Sequence, residues 1–391
     1  MARRSPRIDA LRGLAVFGIL LINAWGFVYG YALHHYPALD GPMAATDQWV
    51  VFLVSAFAEQ KFYPIFAFLF GAGFALQTGR SQAEGPALAA IRATYLRRVR
   101  WLLVCGILHG TLLWFGDILT AYAILGFWLV QYAGRRLSAL LPALWVLITA
   151  NVLIFLYYGV LVAAAATLPL DQRVSEIVEG ERMHALYTLG GWIEVGRARW
   201  SEYGDNLLGF VVFLPRLALL FLLGVFATRM GYLIRPQRHR ALWRKVAWVA
   251  LVAALPLNLW AGLVAVARVA EPFTAPPGAG LANALLELAG PVMGAGYVAL
   301  FMLAGPRFGA WLVPVGRMAL TNYLMQSALL MLTLQGVGLG LGAGISHTGL
   351  MLLAAVIMAG QLACSHWWMA RHPMGPVEAL WRRYTHSAAS V

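Results

Sequence analysis

Apolar stretches of about 20 residues recur along this chain from end to end, and that is the length an α-helix needs to cross the hydrocarbon core of a bilayer. No other feature limits the fold as strongly. Backbone polar groups in lipid must be satisfied inside the protein, which leaves helices or a closed barrel. A barrel would alternate apolar and polar residues over segments of about 10 residues, and this sequence does not. Only 12% of the 391 residues are charged, against about a quarter in a soluble domain. The expected fold class is therefore all-α: a polytopic transmembrane helix bundle, with residues 1–391 forming a single membrane domain.

About ten spans are predicted, at 10–33, 50–77, 98–115, 117–133, 139–166, 207–228, 242–266, 281–303, 312–333 and 349–369. The basic start followed by an apolar run has the look of a signal peptide. The run is long and no clean small-residue cleavage site follows, so it reads as a retained first helix. Alternate connections collect the positive charge, with 21 of the 29 Lys and Arg on one side and five on the other, Arg173, Arg182, Arg197, Arg199 and Arg268. By the positive-inside rule both termini are cytoplasmic. The net charge of +13 is then a matter of topology. Membrane lipids are expected partners and nucleic acid is not.

Some segments depart from simple spans. Trp49–Gln77 would reach about 43 Å as one helix, against a core of about 30 Å, so Glu59–Lys61 should mark a break or an interfacial segment. Residues 167–206 hold seven of the sixteen acids and are predicted to form an extracytoplasmic loop or cap with helical spacing. Gly336–Gly344 is Gly-rich but lacks the lysine of a phosphate loop, and reads as a flexible turn. Cys105 and Cys364 make no disulfide framework or metal set and read as small core residues.

The functional argument comes from ionisable groups at membrane depth, which are costly to bury. In Arg97–Tyr122 an arginine cluster is followed by His109 and then Asp117. His109 lies about 13 Å along the helix from Arg100. It could act as general base on a hydroxyl or amine, with Asp117 orienting the ring. The structural alternative is a helix-capping Asp117 after Gly116 and a satisfied core histidine. Arg97, Arg98 and Arg100 suit a phosphorylated cosubstrate or, equally, lipid headgroups. Asn23, deep in the first span, could donate to a developing oxyanion or bond a neighbouring helix. His34 follows eleven residues later, on roughly the same face. Arg317, Thr321, Asn322 and Gln326 lie in one apolar helix and must face the bundle or a wet cavity. Arg216, in mid-span, needs a partner: Glu59, Asp117 or Glu287.

Four segments, RIDALRGLAVFGILLIN at Arg7–Asn23, KFYPIFAFLFGAG at Lys61–Gly73, LHGTLLWFGDIL at Leu108–Leu119 and GRMALTNYLMQS at Gly316–Ser327, followed by GPVEALWRR at Gly375–Arg383, resemble the YeiB family of bacterial inner-membrane proteins. The opening segment is also similar to the start of the larger transmembrane acyltransferase group, which includes the family 3 acyltransferases and the lysosomal heparan-glucosaminide acetyltransferase. That resemblance implies a multi-pass protein of the bacterial inner membrane. It would transfer an acyl group, in the first instance acetyl, from cytoplasmic acyl-CoA to an extracytoplasmic or lipid-linked acceptor, a small molecule or glycan. In the lysosomal enzyme an asparagine and a histidine eleven residues later carry the site, a spacing that Asn23 and His34 reproduce. In the family 3 enzymes an arginine-rich motif binds the cosubstrate, and RRVR at Arg97–Arg100 is similar to it.

The expected catalytic residues are thus His109, Asp117, Asn23 and His34, with the choice of base between His34 and His109 left open. The expected acyl-CoA ligands are Arg97, Arg98, Arg100, Arg317 and Asn322, with no metal. A homodimer is allowed. The rival class is a small-molecule transporter or exporter using the same polar pathway.

Overall fold

In a computed structural model of the chain, residues 5–30, 43–78, 85–165, 170–270, 278–305 and 307–386 are described. No strand occurs among them. The α-helices are α1 (Pro6–Tyr29), α2 (Ala45–Phe57), α3 (Phe62–Gln77), α4 (Gly85–Leu112), α5 (Leu119–Leu129), α6 (Leu141–Ala165), α7 (Leu170–Leu189) and α8 (Trp192–Arg229). They continue with α9 (Arg240–Val249), α10 (Leu255–Ala270), α11 (Ala279–Leu303), α12 (Val313–Arg317), α13 (Ala319–Leu334), α14 (His347–Met369) and α15 (Pro376–His386). Seven stretches among the described residues are long and apolar enough to cross a membrane: Pro6–Tyr29, Ala45–Gln77, Leu137–Tyr157, Trp192–Arg229, Pro236–Ala270, Ala279–Leu303 and His347–Met369. The other three predicted spans correspond to α4, whose N-terminal half carries Arg92, Arg97, Arg98 and Arg100, and to the shorter apolar helices Leu119–Tyr132 and Ala319–Leu334.

Helix α1 runs through the middle of the bundle and packs on α3, α7, α12, α13 and α14. Beyond its first turns, which carry the Asp9–Arg12 pair, its sequence is apolar on every face but for Asn23, which suits a helix covered on all sides. Small residues set the closest approaches, as in membrane bundles generally. A Cβ on Gly316 would overlap the Asp9 carbonyl, and one on Gly13 would sit 2.5 Å from the Leu312 oxygen. Gly71 of α3 lies against the Phe221 backbone of α8, while Gly224 of α8 lies against the Phe68 backbone of α3.

The stretch too long for one crossing is divided as expected. α2 stops at Phe57 and α3 starts at Phe62. Between them Gln60 has φ 62°, the one non-glycine positive φ among the described residues. The buried Lys61 donates from Nζ to the Ser55 carbonyl at 2.7 Å, satisfying a backbone group freed by the break. Gly290 and Gly294 of α11 make room for the bend.

Residues 170–206 are helical, interrupted only at Gly190 and Gly191. α8 runs for 38 residues through Pro215, so the polar segment and the following span share one helix. The turn at 336–344 packs on α7, with the Gly336 amide donating to the Tyr187 carbonyl at 2.9 Å. Cys364 is exposed on α14 and is not a core residue. It sits on the outward face of a helix that turns little of its surface to the bundle.

Candidate functional site

Helix α4 ends at Leu112, and the chain reverses through residues 113–118 to enter α5. Asp117 closes this reversal. Its Oδ1 accepts from the Leu119 amide at 3.1 Å and its Oδ2 from the Thr120 amide at 2.7 Å, so it caps the incoming helix. The same Oδ1 lies 2.8 Å from Nδ1 of His109, in the last turn of α4, and neither side chain is exposed. Capping residue and imidazole partner are thus one carboxylate.

The other ring nitrogen of His109, Nε2, lies 2.8 Å from the hydroxyl of Ser327 on α13. Asp117 accepts the Nδ1 proton, which leaves the Nε2 lone pair to receive the serine proton. The Tyr323 ring packs 4.9 Å from the imidazole, centroid to centroid. Thr120 Oγ1 meets the Tyr203 hydroxyl at 2.9 Å, and Asn206 donates to the Phe115 carbonyl at 3.1 Å, which pins the reversal to α8. Gly106 and Gly110 flank His109 on α4. A Cβ at Gly106 would stand 2.5 Å from the Thr120 amide nitrogen, and one at Gly110 would overlap the Tyr203 ring.

Chemically this is a buried line of carboxylate, imidazole and hydroxyl. The imidazole can take a proton at Nε2 while the carboxylate steadies the positive charge. Among the described residues no three His, Cys, Asp or Glu side chains converge to hold a metal. Nothing in the sequence marks Ser327 as a partner of His109. Its contact with His109 spans 218 residues, and a serine in an apolar helix carries no signal of its own. The glycines flanking the histidine in Gly106–Gly110 were the available hint of close packing around it.

The other expected site residues that are described make no hydrogen bond to His109, Asp117 or Ser327. Asn23 is half-buried, and its side chain makes no hydrogen bond among the described residues. His34 lies outside the described residues. Arg97 donates from Nε to the Thr385 carbonyl at 2.9 Å, which ties α4 to α15. Arg98 lays its guanidinium over the Trp381 ring, 4.3 Å from the centroid. Arg100 is exposed. Arg317 donates to the Pro373 carbonyl at 2.7 Å. Asn322 is buried between α12, α13 and α14, donating to the Val315 carbonyl at 3.2 Å and to Ser365 at 3.1 Å. The structure therefore joins His109 to Asp117, gathers Arg97 and Arg98 beside α15, and uses Asn322 as an interhelical strut.

A second polar group sits at the α2–α3 break. Arg216 of α8 pairs with Glu287 of α11, the partner found among the three expected. Gln60 donates to Glu287 at 2.9 Å, and Arg216 donates to the Tyr63 hydroxyl at 3.2 Å.

Helices of this length and apolarity, with ionisable groups buried between them, define an integral-membrane helical bundle. Residues 227–388 match the family described as "Protein of unknown function (DUF418)". The chain is 29% identical over 406 residues to the "Uncharacterized protein YeiB" of Escherichia coli (strain K12), covering 99% of this chain and 97% of that protein. It is 28% identical over 404 residues to the "Uncharacterized protein YxaH" of Bacillus subtilis (strain 168), covering 97% and 93%. An "Uncharacterized 39.9 kDa protein in amylase 3'region" of Bacillus acidopullulyticus is 28% identical over 393 residues, covering 98% and 94%. The resemblance to the YeiB family thus extends over the whole chain. No solved structure matches it. Ser327 falls within the matched segment and His109 and Asp117 before it, so the site draws on both parts of the chain.

Proposed function

We propose that the protein is an integral membrane acyltransferase. It takes an acyl group, in the first instance acetyl, from cytoplasmic acyl-CoA and passes it to a hydroxyl of an extracytoplasmic or lipid-linked acceptor. The observation that carries this reading is the placement of His109, with Nδ1 against Asp117 and Nε2 against a hydroxyl, where neither the imidazole nor the carboxylate is exposed. A helix-packing histidine needs neither a buried carboxylate nor a fixed tautomer. A general base gains from both, because the carboxylate fixes which ring nitrogen is free and steadies the imidazolium that forms.

In this reading the bundle crosses the inner membrane about ten times, with both termini in the cytoplasm. The asymmetry of Lys and Arg supports that orientation. Arg97, Arg98, Arg100 and Arg317 would meet the phosphates of the cosubstrate. Arg98 suits this best, because one face of its guanidinium rests on Trp381 and its N–H groups have no hydrogen-bond partner among the described residues. The unengaged amide of Asn23 would polarise the thioester carbonyl. Asn322 would act by holding α13 in register. His34 is the alternative base that the wider resemblance offers.

Purified protein should bind acetyl-CoA. Arg98→Ala should weaken that binding, while His109→Ala should spare it and stop acetyl transfer. Wild-type protein that does not bind acetyl-CoA would overturn the reading. Reporter fusions at the connections test the ten spans and both termini.

One observation favours a second reading, a small-molecule transporter. The α2–α3 break brings Lys61, Gln60, Arg216 and Glu287 together within the bundle, and broken helices with charged groups commonly form substrate sites in transporters. Solute flux in proteoliposomes without acetyl-CoA binding would select it.

A further inference from the structure

We propose that Ser327 is the nucleophile of a two-step transfer, so that the acyl group passes through an ester on its Oγ. The proposal rests on the acyl-transfer reading and adds to it a reacting residue and a covalent intermediate.

The geometry decides where the serine proton points. With a carboxylate as its partner, Nδ1 of His109 carries the ring proton and donates it to Asp117, so Nε2 is the acceptor and Ser327 donates across the 2.8 Å contact. A serine inside a helix ordinarily gives its proton to the carbonyl four residues back. Here that carbonyl, of Tyr323, is 3.4 Å away, at the long limit of a hydrogen bond. The hydroxyl has instead turned to the imidazole. The three groups come from α4, the α4–α5 reversal and α13, and each is anchored independently. Asp117 is held by two backbone amides, and α13 by Glu378 of α15, which accepts from the Leu320 amide at 2.9 Å and the Thr321 hydroxyl at 2.6 Å. Hydroxyl, imidazole and carboxylate in this order form the activated-nucleophile arrangement, which is recognised by geometry and not by position in the chain.

The chemistry balances without a metal or a redox partner. Ser327 Oγ attacks the thioester carbonyl carbon while its proton passes to His109 Nε2. The carbon–sulfur bond breaks, and the leaving thiolate takes that proton and departs as free CoA thiol. In the second half an acceptor hydroxyl gives its proton to Nε2 and attacks the ester carbonyl. The carbon–Oγ bond breaks, and Oγ takes the proton back. A covalent stage also relieves a problem of reach. CoA and acceptor need not be present together, so the bulky, charged donor can stay at the cytoplasmic face.

The test uses full-length protein in nanodiscs with acetyl-CoA, labelled free CoA and no acceptor. Wild-type protein should exchange label into acetyl-CoA, and Ser327→Ala should reduce the exchange by about 10³-fold or more while still binding acetyl-CoA. Acid-quenched protein given labelled acetyl-CoA should carry one acetyl on the peptide containing residue 327. Ser327→Cys should trap it as a thioester, which gives a second readout if the alanine variant folds poorly. Wild-type protein that binds acetyl-CoA but neither exchanges nor labels overturns the serine proposal and leaves the acyltransferase reading in place. Exchange retained in Ser327→Ala, or label on His109, also overturns it. Failure of the wild type to bind acetyl-CoA overturns the acyltransferase reading, and the serine step with it.

Discussion

Asp117 reaches His109 across the α4–α5 reversal, Oδ1 to Nδ1 at 2.8 Å, while the same carboxylate accepts two backbone amides at the start of α5. A carboxylate buried this deeply persists only when its lone pairs are used, and here each oxygen has a close donor.

Asp117→Asn should separate the two jobs. The asparagine oxygen can still accept from the Thr120 amide while only the Leu119 amide loses its acceptor, so the melting temperature should fall less than in Asp117→Ala. Its amide group faces Nδ1 as a donor, which moves the imidazole proton to Nε2 and turns His109 from acceptor to donor toward Ser327. Acetyl transfer should fall by about 10⁴-fold. Asp117→Ala should in addition lose the cap, at about 1 kcal/mol or more. Melting curves beside transfer rates check both. Equal rates in wild type and Asp117→Asn would show that the tautomer is irrelevant.

Arg216 and Glu287 test whether the second polar group is structural. Removing one partner leaves the other unpaired inside the bundle, where an isolated intramembrane charge costs ~2.5–3.5 kcal/mol on insertion scales. Both groups are partly exposed, Arg216 at 19% and Glu287 at 33%, so the lower end applies. Glu287→Leu and Arg216→Met should each lower the melting temperature, and the double variant should recover part of the loss. If the double variant is as stable as wild type but inactive in flux assays, the pair belongs to a substrate path.

The α3–α8 interface should resist even a methyl group. Gly71 and Gly224 each face backbone on the opposite helix, where no side chain can swing aside. Gly71→Ala and Gly224→Ala should each cost ~1–3 kcal/mol through forced separation of the helices. Gly159, with open space around its Cβ position, is the control and should tolerate alanine. Detergent melting of the three variants decides.

Much of this architecture is written locally. Apolar length marks the helices, and the excess length of Trp49–Gln77 marks its break, because a bilayer has one thickness and a helix one rise per residue. His109 and Asp117 were legible together because both lie on one hairpin, and a histidine and an acid in apolar sequence are costly enough to need each other. Ser327 was not legible. Serine is cheap inside a helix, and only the packing of α13 on α4 gives it a role. Asn322 is legible only as far as its burial: a polar residue in an apolar run announces that it is covered, and its partner, Ser365, comes from the neighbouring helix. The helical spacing of residues 167–206 is legible, but the continuity of Trp192–Asn206 with the span that follows is not, because a change from polar to apolar residues marks no end when the helix runs straight through it.

Tyr187 offers a pH signature outside the spanning helices. Its hydroxyl donates to Glu202 in a buried setting on α7. Burial first, and then the charge of Glu202, push the phenol well above its usual 10.0. The folded state therefore holds this proton more tightly than the unfolded chain does. Its stabilising effect is fully present below about pH 10 and is lost as pH rises, because the unfolded phenol ionises first. Tyr187→Phe should cost ~1.5–3 kcal/mol near neutrality, the range for a hydrogen bond to a charged group. The gap between the two proteins should narrow above about pH 10. Parallel melting curves across that range measure it, and a gap that stays constant would show that the phenol titrates alike in both states.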